Sequence, residues 1–132
     1  MKTIDLTTLT IEKAHAHMKA GDFSAVDLTQ AYLDNISKLD KEIHAYLEVF
    51  SDALDQARLA DKRFKDGSAT LLTGIPCAVK DNILVKGHIS SSASKMLEKY
   101  SASYDATVIV KLREQGVVFI GRTNMDEFAM GG

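Results

Sequence analysis

The chain has 132 residues, a formal net charge of −2, 45% hydrophobic residues and 26% charged residues. This composition is ordinary for a globular protein, and the length is enough for one domain with a modest core. Because the net charge is close to zero, the composition excludes a general electrostatic footprint for nucleic acid or an anionic membrane on this chain, although a partner protein could carry a basic surface.

Targeting and redox signals are sparse. The N-terminus, M-K-T-I-D-L, has no apolar core of signal-peptide length, and no run of residues approaches the length of a membrane span. The single cysteine, Cys77, excludes an internal disulfide and fits a reducing compartment. We therefore predict a cytoplasmic protein, or one of an organellar matrix if the source is eukaryotic, that makes no contact with a membrane.

Residues 1–66 are predicted to be mainly helical. Apolar residues recur at helical spacing from position 11, and Gly21 is predicted to end that helix. Ser24 then begins a second helix, because Ser24 and Asp27 resemble a capping box with aspartate in place of glutamate. The apolar face of this helix is so wide that we expect neighbours on more than one side; it comprises Val26, Leu28, Thr29, Tyr32, Leu33, Ile36, Leu39 and Ile43.

A short strand and a third helix complete this region. Residues 46–50, Y-L-E-V-F, carry β-forming side chains and interrupt the helical pattern. Ser51 or Asp52 is predicted to begin the third helix, and the Asp66-Gly67 pair is predicted to end it. The apolar stripe of that helix consists of Ala53, Ala57, Ala60 and Phe64.

The pattern changes to strand, loop, helix and strand over residues 67–132. Residues 77–80 and 117–120 are predicted strands, and the second is continuously apolar with Gly121 after it. Asp105 is predicted to cap the helix between them. This order predicts a parallel crossover in an α/β sheet whose strands are covered on both faces.

Residues 81–104 show little periodicity and are predicted to form a long loop. The S-S-S-A-S segment within it, residues 90–94, is typical of a solvated loop, with a binding loop as the alternative. After the last strand, Thr123 or Asn124 is predicted to cap a short helix with two acidic residues in its first turn.

The most unusual chemistry lies in T-G-I-P-C-A-V-K-D-N, residues 73–82. Pro76 lacks a backbone donor and fits the start or the edge of a strand. Lys80 ends the apolar run, where its ammonium group has three options: it extends to water, it pairs with Asp81, or it loses its proton and acts as a general base. From the residues alone, the first two options are the simpler interpretation.

Structural roles are favoured for the other candidate groups. Alternation along a strand places Cys77 on the opposite face from Lys80, so we expect a buried, inert thiol and no Cys–Lys pair. The histidines show no metal-ligand spacing, so we predict no metal site; they are His15, His17, His44 and His88.

Five segments occur in one order and together resemble the amidase signature family, over essentially the whole chain. They are G-I-P-C-A-V-K-D-N at 74–82, S-S-A-S at 91–94, Y-D-A-T-V at 104–108, L-R-E-Q-G-V-V-F-I-G-R-T-N at 112–124 and M-D-E-F-A-M-G-G at 125–132. Each segment is weakly specific by itself, whereas the ordered set is specific. The resemblance implies an α/β fold in which helices pack on a mixed β-sheet, with residues 1–132 as the N-terminal part and the sheet incomplete.

The resemblance also implies the chemistry of the site. The family uses a Ser–cis-Ser–Lys triad, in which a neutral lysine takes a proton and thereby activates the attacking serine. Lys80 matches the family's lysine. Both triad serines of the family lie in glycine- and serine-rich segments that follow the M-G-G region, so none of the serines at 90–94 matches them. Met130 and Gly131 match a turn near the substrate pocket and are predicted backbone contacts for substrate.

The ending N-M-D-E-F-A-M-G-G resembles one branch of the family, the A subunits of glutamyl-tRNA(Gln) amidotransferases. This branch hydrolyses glutamine and passes the ammonia to the B subunit, which uses ATP and Mg²⁺ to convert Glu-tRNA(Gln) to Gln-tRNA(Gln) for translation. The resemblance implies the B and C subunits as partners, tRNA contacts mainly through the B subunit, and no cofactor on this chain. Without the triad serines, the 132 residues alone are expected to be inactive.

Two other interpretations stay open. One is part of another amidase signature hydrolase, which acts on a different amide. The other is a non-catalytic split piece that assembles with a complementary chain. In each case the partial sheet is expected to expose strand edges and apolar faces, and a chemical-denaturation curve would decide whether the chain folds alone.

Overall fold

The computed structural model describes residues 4–131; residues 1–3 and Gly132, which the predicted domain includes, lie outside them. The described residues contain two 3-10 turns, Lys95–Leu97 and Glu127–Ala129, and seven longer elements: α1 (Ile11–Ala20), α2 (Ala25–Ile43), β1 (Tyr46–Val49), α3 (Ala53–Asp66), β2 (Pro76–Lys80), α4 (Thr107–Glu114) and β3 (Val118–Thr123). The predicted α/β fold is confirmed.

The ends of α1 and α2 follow the predicted local signals. Gly21 follows α1 with φ of 78°, a left-handed conformation that glycine adopts without steric cost. The capping box at the start of α2 is present in both directions: the Asp27 amide donates to Ser24 Oγ, and the Ser24 amide donates to Asp27 Oδ2. Asp61 of α3 adds a long-range cap, because its carboxylate accepts from the Ala25 amide at 2.7 Å.

The wide apolar face of α2 packs against neighbouring elements only over its N-terminal half, so the predicted burial is found in part. Ala25, Leu28 and Thr29, in the N-terminal half of the helix, are buried. In the C-terminal half, Leu39 is 49% exposed and Ile43 is 63% exposed. Within residues 4–131, the second half of α2 therefore presents an apolar surface to solvent.

Helix α3 also matches its prediction. Asp52 occupies the position before its first residue, although its carboxylate makes no cap hydrogen bond, and Gly67 follows the helix in a left-handed conformation. The alanine stripe is buried against α1, α2 and the sheet, with Phe64 partly buried beside it; it consists of Ala53, Ala57 and Ala60. Small side chains let the helix approach the sheet closely.

Strand β3 lies in the centre of the three-stranded sheet, whose order is β1-β3-β2. Strand β2 pairs with β3 in parallel through the α4 crossover, as predicted, and β1 pairs with β3 antiparallel, which makes the sheet mixed. Strand β3 runs beyond its predicted end at residue 120 and includes Gly121, Arg122 and Thr123. This extension brings its polar end level with the end of β2, where Lys80 is paired with Thr123.

The prediction of Asp105 as the cap of α4 is wrong. Ala106 precedes the helix, and no side chain caps it. The Asp105 carboxylate instead accepts from the Lys86 amide at 2.7 Å and from Arg113 Nε at 2.9 Å. An ion pair with Arg113 and a hydrogen bond from the Lys86 amide thus replace the local cap that the sequence indicated, and together they tie the loop after β2 to α4.

The core that residues 4–131 form consists of two layers, one on each face of β3. Val118 and Ile120 face α1, α2 and α3, whereas Val117 and Phe119 face α4 and the loop after β2. Alternation along the strand sends successive side chains to opposite faces, so the continuous apolar run is buried on both sides. None of the helices within residues 4–131 is long and apolar enough to cross a membrane.

The side chain of Gln56 substitutes for a strand where β1 has already ended. Its Oε1 accepts from the Phe119 amide at 2.9 Å, and its Nε2 donates to the Phe119 carbonyl at 3.3 Å. These two bonds satisfy a backbone donor and acceptor next to the buried Phe119 side chain, which would otherwise cost free energy. The glutamine therefore extends the hydrogen bonding of the central strand by one residue.

We expect Gly74→Ala to lower the free energy of unfolding more than Gly67→Ala. Both glycines have φ near +80°, so alanine at either position costs about 1–2 kcal/mol of backbone strain. A Cβ at position 74 would lie 2.8 Å from Ala25 Cβ, whereas position 67 is open, so overpacking adds about 1–3 kcal/mol at position 74 only.

Urea denaturation of the two variants and the wild-type chain measures this difference. Equal losses of stability in the two variants would show that the α2 N-terminus does not pack closely against residue 74. A single cooperative transition in the wild-type chain would show that these residues fold alone.

Candidate active site

Lys80 lies at the edge of the sheet where two parallel strands end. Strands β2 and β3 run in the same direction, so their carboxyl ends, Lys80 and Thr123, lie side by side. The loop 81–94 follows β2 at this edge, and the segment 124–131 follows β3. In open α/β sheets, ligands bind outside the carboxyl ends of the strands, and this edge is therefore the candidate site.

Lys80 is exposed, and its ammonium group makes no hydrogen bond or ion pair with residues 4–131. Val79 is buried in the layer that contains Phe119, and Cys77 packs against the same layer. The predicted separation of Cys77 and Lys80 on opposite faces is therefore confirmed. Burial raises the pKa of the Cys77 thiol, which favours the neutral, unreactive form.

Asp81 does not pair with Lys80, the partner that the sequence suggested for a structural role. The Asp81 side chain is fully buried, and Oδ1 accepts from Arg122 Nη1 at 2.7 Å. Arg122 is also nearly buried, and its Nε donates to Glu48 Oε2 of β1 at 2.8 Å. One guanidinium group of β3 thus connects β1 with the residue that follows β2.

The Asp81 carboxylate is fully satisfied by hydrogen bonds. Besides Arg122, the donors are the Ser91 amide at 3.1 Å, Ser91 Oγ at 2.5 Å and the Ala93 amide at 2.8 Å. Burial by itself would raise the pKa of Asp81, but the bonds from Ser91, Ala93 and Arg122 together outweigh it and hold the pKa below its ordinary value. The pKa of Arg122 shifts in the opposite direction and is raised. Burial would lower it, but the hydrogen bonds and charges of Glu48 and Asp81 outweigh burial.

The prediction of a solvated loop for residues 90–94 is wrong. Ser90, Ser91 and Ser94 are buried. The backbone of Asp81 also holds the loop, because its carbonyl accepts from Ser90 Oγ at 2.9 Å and from the Ser92 amide at 3.1 Å. The small hydroxyl side chains fit a tight turn around one carboxylate, and their donors are used there instead of by water.

The segment after β3 forms a second tight turn against this loop. Thr123 belongs to β3, so neither Thr123 nor Asn124 caps the short helix that the sequence predicted. A 3-10 turn, Glu127–Ala129, takes its place, with Asp126 before it. The Phe128 amide donates to the Ser92 carbonyl at 3.0 Å, and Ser94 Oγ donates to Glu127 Oε1 at 2.7 Å. The two segments therefore form one unit at the end of β2.

Four residues in these two turns have strained backbones. Ser92, Ala93, Phe128 and Ala129 have φ between 50° and 55°. A left-handed conformation costs a residue with a side chain about 1–2 kcal/mol, so the surrounding contacts must hold it in place. Such strain is concentrated at functional sites.

The predicted substrate contacts lie in this second turn. Met130 is 85% exposed, and the Gly131 amide donates to Asp126 Oδ2 at 2.6 Å. The hydrogen bonds through Ser92 connect the turn to the residue after Lys80. Met130, Gly131 and Lys80 thus stand at the same edge of the sheet, and their roles remain predictions.

Sequence reasoning missed the network of Asp81, Arg122 and Glu48. A local signal existed for Asp81, which follows Lys80 at the end of an apolar strand. Arg122, in contrast, lies beyond the predicted end of its strand, and Glu48 lies in the short strand predicted over residues 46–50. The three residues meet because β3 lies between β1 and β2 in the sheet. This order cannot be derived from the three sequence segments taken one at a time.

Residues 4–131 contain no cluster of three or more His, Cys, Asp or Glu side chains that could hold a metal ion. His17 lies 2.8 Å from Asp22, and His88 stacks on Phe50 with ring centroids 3.7 Å apart. Both histidines contact neighbours that explain their positions without a ligand.

Comparison with known proteins identifies the family. The family model of the amidases matches residues 27–132, which is most of the chain. The chain belongs to the amidase family. The fold implied by the resemblance of its five segments is therefore confirmed.

The amidase chain is similar in sequence to curated A subunits of glutamyl-tRNA(Gln) amidotransferase. The relative from Ruminiclostridium cellulolyticum is 46% identical over 130 residues, which cover 98% of this chain and 27% of the relative. The relative from Dehalococcoides mccartyi is 47% identical over 128 residues, 96% of this chain and 26% of the relative. The chain thus spans about a quarter of the length of these relatives.

Solved structures show the same amidase fold. The native peptide amidase from Stenotrophomonas maltophilia has a TM-score of 0.88 at 34% identity, over 92% of this chain and 26% of that one. The A subunit of glutamyl-tRNA(Gln) amidotransferase from Thermotoga maritima has a TM-score of 0.74 at 33% identity, over 99% of this chain and 26% of that one.

We expect the stability that Asp81 contributes to be lost in acid. Its pKa is lower in the folded than in the unfolded chain, so this contribution is fully present above the unfolded value of about 3.9 and falls as the pH drops through the lower folded value. The difference in unfolding free energy between wild type and Asp81→Asn should therefore shrink between pH 7 and pH 2.

Urea denaturation of both proteins at several pH values tests this expectation. The other acidic groups titrate in both proteins and largely cancel in the difference. A difference that stays constant down to pH 2 would contradict a lowered pKa for Asp81.

Proposed function

We propose that this chain is the N-terminal part of the glutaminase subunit of a tRNA-dependent amidotransferase. The observation that carries the proposal is the 46–47% identity to A subunits of glutamyl-tRNA(Gln) amidotransferase over nearly all of the chain. The position of Lys80, exposed at the carboxyl edge of the sheet, supports it. In this function, glutamine is hydrolysed to glutamate and ammonia for the conversion of Glu-tRNA(Gln) to Gln-tRNA(Gln).

Lys80 is the catalytic base in the proposed mechanism. In its neutral form the Lys80 amine takes a proton from the first serine of the triad, which in turn activates the attacking serine. Strand β2 holds the backbone of Lys80, and the neighbouring Asp81 carboxylate is bound by Arg122, Ser91 and Ala93, so it leaves the amine free for a serine. Neither triad serine is among the residues of this chain.

Substrate contact and partners complete the proposal. The backbone at Met130 and Gly131 binds glutamine, because the turn that carries them stands beside the end of β2. The B and C subunits are the partners, ATP and Mg²⁺ act on the B subunit with most of the tRNA, and the protein works in the cytoplasm or an organellar matrix. The exposed second half of α2 offers apolar area for contact with further parts of the protein or with a partner.

A second candidate is hydrolysis of a different amide. Its support is the closer structural likeness to the peptide amidase, with a TM-score of 0.88 against 0.74 for the amidotransferase structure from Thermotoga maritima. The described part of the chain supplies the lysine and the two turns beside it. The choice of amide therefore depends on segments that these residues do not include.

We expect the 132-residue chain alone to release no ammonia from glutamine above the level of its Lys80→Ala variant. A base without its nucleophile loses most of the rate enhancement of a triad. Measurement of ammonia release by both proteins tests this expectation. If the wild-type chain released ammonia and the Lys80→Ala variant did not, another group of the chain would have to serve as the nucleophile.

The proposed function itself is tested in a hybrid enzyme. In this hybrid, the present chain replaces the matching segment of the Thermotoga maritima protein, to which 99% of the present chain aligns. We expect glutaminase activity that Lys80→Ala lowers roughly 100- to 10,000-fold, the contribution of a general base. Lys65→Ala, on the exposed face of α3, is the matched control and should leave the activity unchanged.

Two outcomes would overturn the proposal. Equal activity of the hybrid and its Lys80→Ala variant would exclude Lys80 as the base. Lack of glutaminase activity in a folded hybrid, combined with release of ammonia from amidated peptides, would favour the second candidate.

A further inference from the structure

We propose that Asp81 is the positioning residue of this site: its carboxylate fixes the loop 90–94, and through that loop the turn 126–131, relative to Lys80. The inference rests on the proposed function only for the statement that Lys80 acts on an amide. The anchoring itself follows from contacts among the described residues. Lys80 and Asp81 are adjacent, so a group held by Asp81 is held close to the backbone from which the Lys80 side chain extends.

The strained backbone of the loop gives Asp81 its role. Ser92 and Ala93 are both left-handed, a conformation that a free loop would leave for an ordinary one. The amides of Ser91 and Ala93 both donate to the Asp81 carboxylate, at 3.1 and 2.8 Å. Two backbone amides that converge on one carboxylate form an anion-binding concavity, and here the anion is part of the chain.

The turn 126–131 depends on the loop in the same way. Phe128 and Ala129 are left-handed as well, and the Phe128 amide donates to the carbonyl of Ser92. The hydroxyl of the buried Ser94 donates to Glu127 Oε1 at 2.7 Å. A loop that relaxes at Ser92 therefore removes the acceptor of the Phe128 amide and moves the backbone that the proposed function assigns to substrate.

Arg122 keeps the carboxylate itself in place. Its guanidinium group is held between Asp81 and Glu48, at 2.7 and 2.8 Å, and thereby aligns Asp81 with both β1 and β3. A neutral asparagine at position 81 could accept fewer of these bonds and would leave a buried guanidinium group with one anionic partner instead of two. The effect of such a change should be strongest in the loop and the turn, not in the core.

Hydrogen exchange in the 132-residue chain, followed amide by amide by NMR, tests the anchoring. In Asp81→Asn we expect the amides of Ala93 and Phe128 to exchange roughly 10- to 100-fold faster relative to a core amide such as that of Phe119. Asp105→Asn is the matched control, because the Asp105 carboxylate, like that of Asp81, accepts from backbone N–H and from an arginine, but it holds α4 and residue 86. The control should leave the ratio unchanged.

Ser91→Ala is the milder variant. It keeps the carboxylate and its two backbone amide donors, and removes only the 2.5 Å bond from Ser91 Oγ to Asp81 and the 3.4 Å bond from Arg122 Nη1 to Ser91 Oγ, so we expect a smaller change at the same two amides. If Asp81→Asn does not fold, Ser91→Ala decides the question. Unchanged ratios for Ala93 and Phe128 in a folded variant would overturn the anchoring.

Kinetics of the hybrid enzyme separate positioning from mere stability. Asp81→Asn and Asp105→Asn should both lower the melting temperature, but only Asp81→Asn should lower kcat, roughly tenfold or more, with a smaller change in KM. Equal kcat values for the two variants would overturn the positioning role. A folded hybrid without activity would count against the proposed function, and the exchange ratios would still judge the anchoring.

Discussion

The central strand β3 imposes the constraint on which this structure depends. Its apolar side chains need cover on both faces, and its backbone needs partners on both edges. Helices α1 to α3 cover one face, α4 and the loop after β2 cover the other, and β1 and β2 pair with the edges. Where β1 ends too early, the side chain of Gln56 supplies the missing bonds. Each part of the fold thus meets one requirement of this strand.

The site is a consequence of the same constraint. Parallel pairing of β2 with β3 places Lys80 and the segment after Thr123 side by side at the carboxyl ends of these strands. Arg122 can reach Asp81 because β3 continues past its apolar run. The two buried charges are tolerable there because each has several hydrogen-bonding partners. A strand that serves as the core over its first half therefore organises the polar groups of the site over its second half.

Helix ends and the parallel crossover of β2 and β3 could be predicted from the sequence, whereas the side-chain contacts between distant segments could not. Gly21 and the Ser24–Asp27 capping box act within one helical turn, so the residues that determine them are adjacent in the chain. Lys80 stands out because several motifs occur in a known order around it. The composition of residues 90–94, in contrast, indicates a solvated loop. That prediction fails because the carboxylate that binds these serines, Asp81, lies outside the segment, ten residues before Ser91. The same limit applies to Asp105, whose partner Arg113 competes with the cap of α4.

The amide of Gln56 also makes the fold sensitive to chemical ageing. Glutamine is among the residues that heat and time degrade, and deamidation turns its amide into a carboxylate. A carboxylate at position 56 could still accept from the Phe119 amide but could no longer donate to the Phe119 carbonyl or to the Asp52 carboxylate, to which Nε2 also donates. Two like charges would then face each other beside the central strand. Loss of this one amide would thus remove hydrogen bonds to both the central strand and the start of α3.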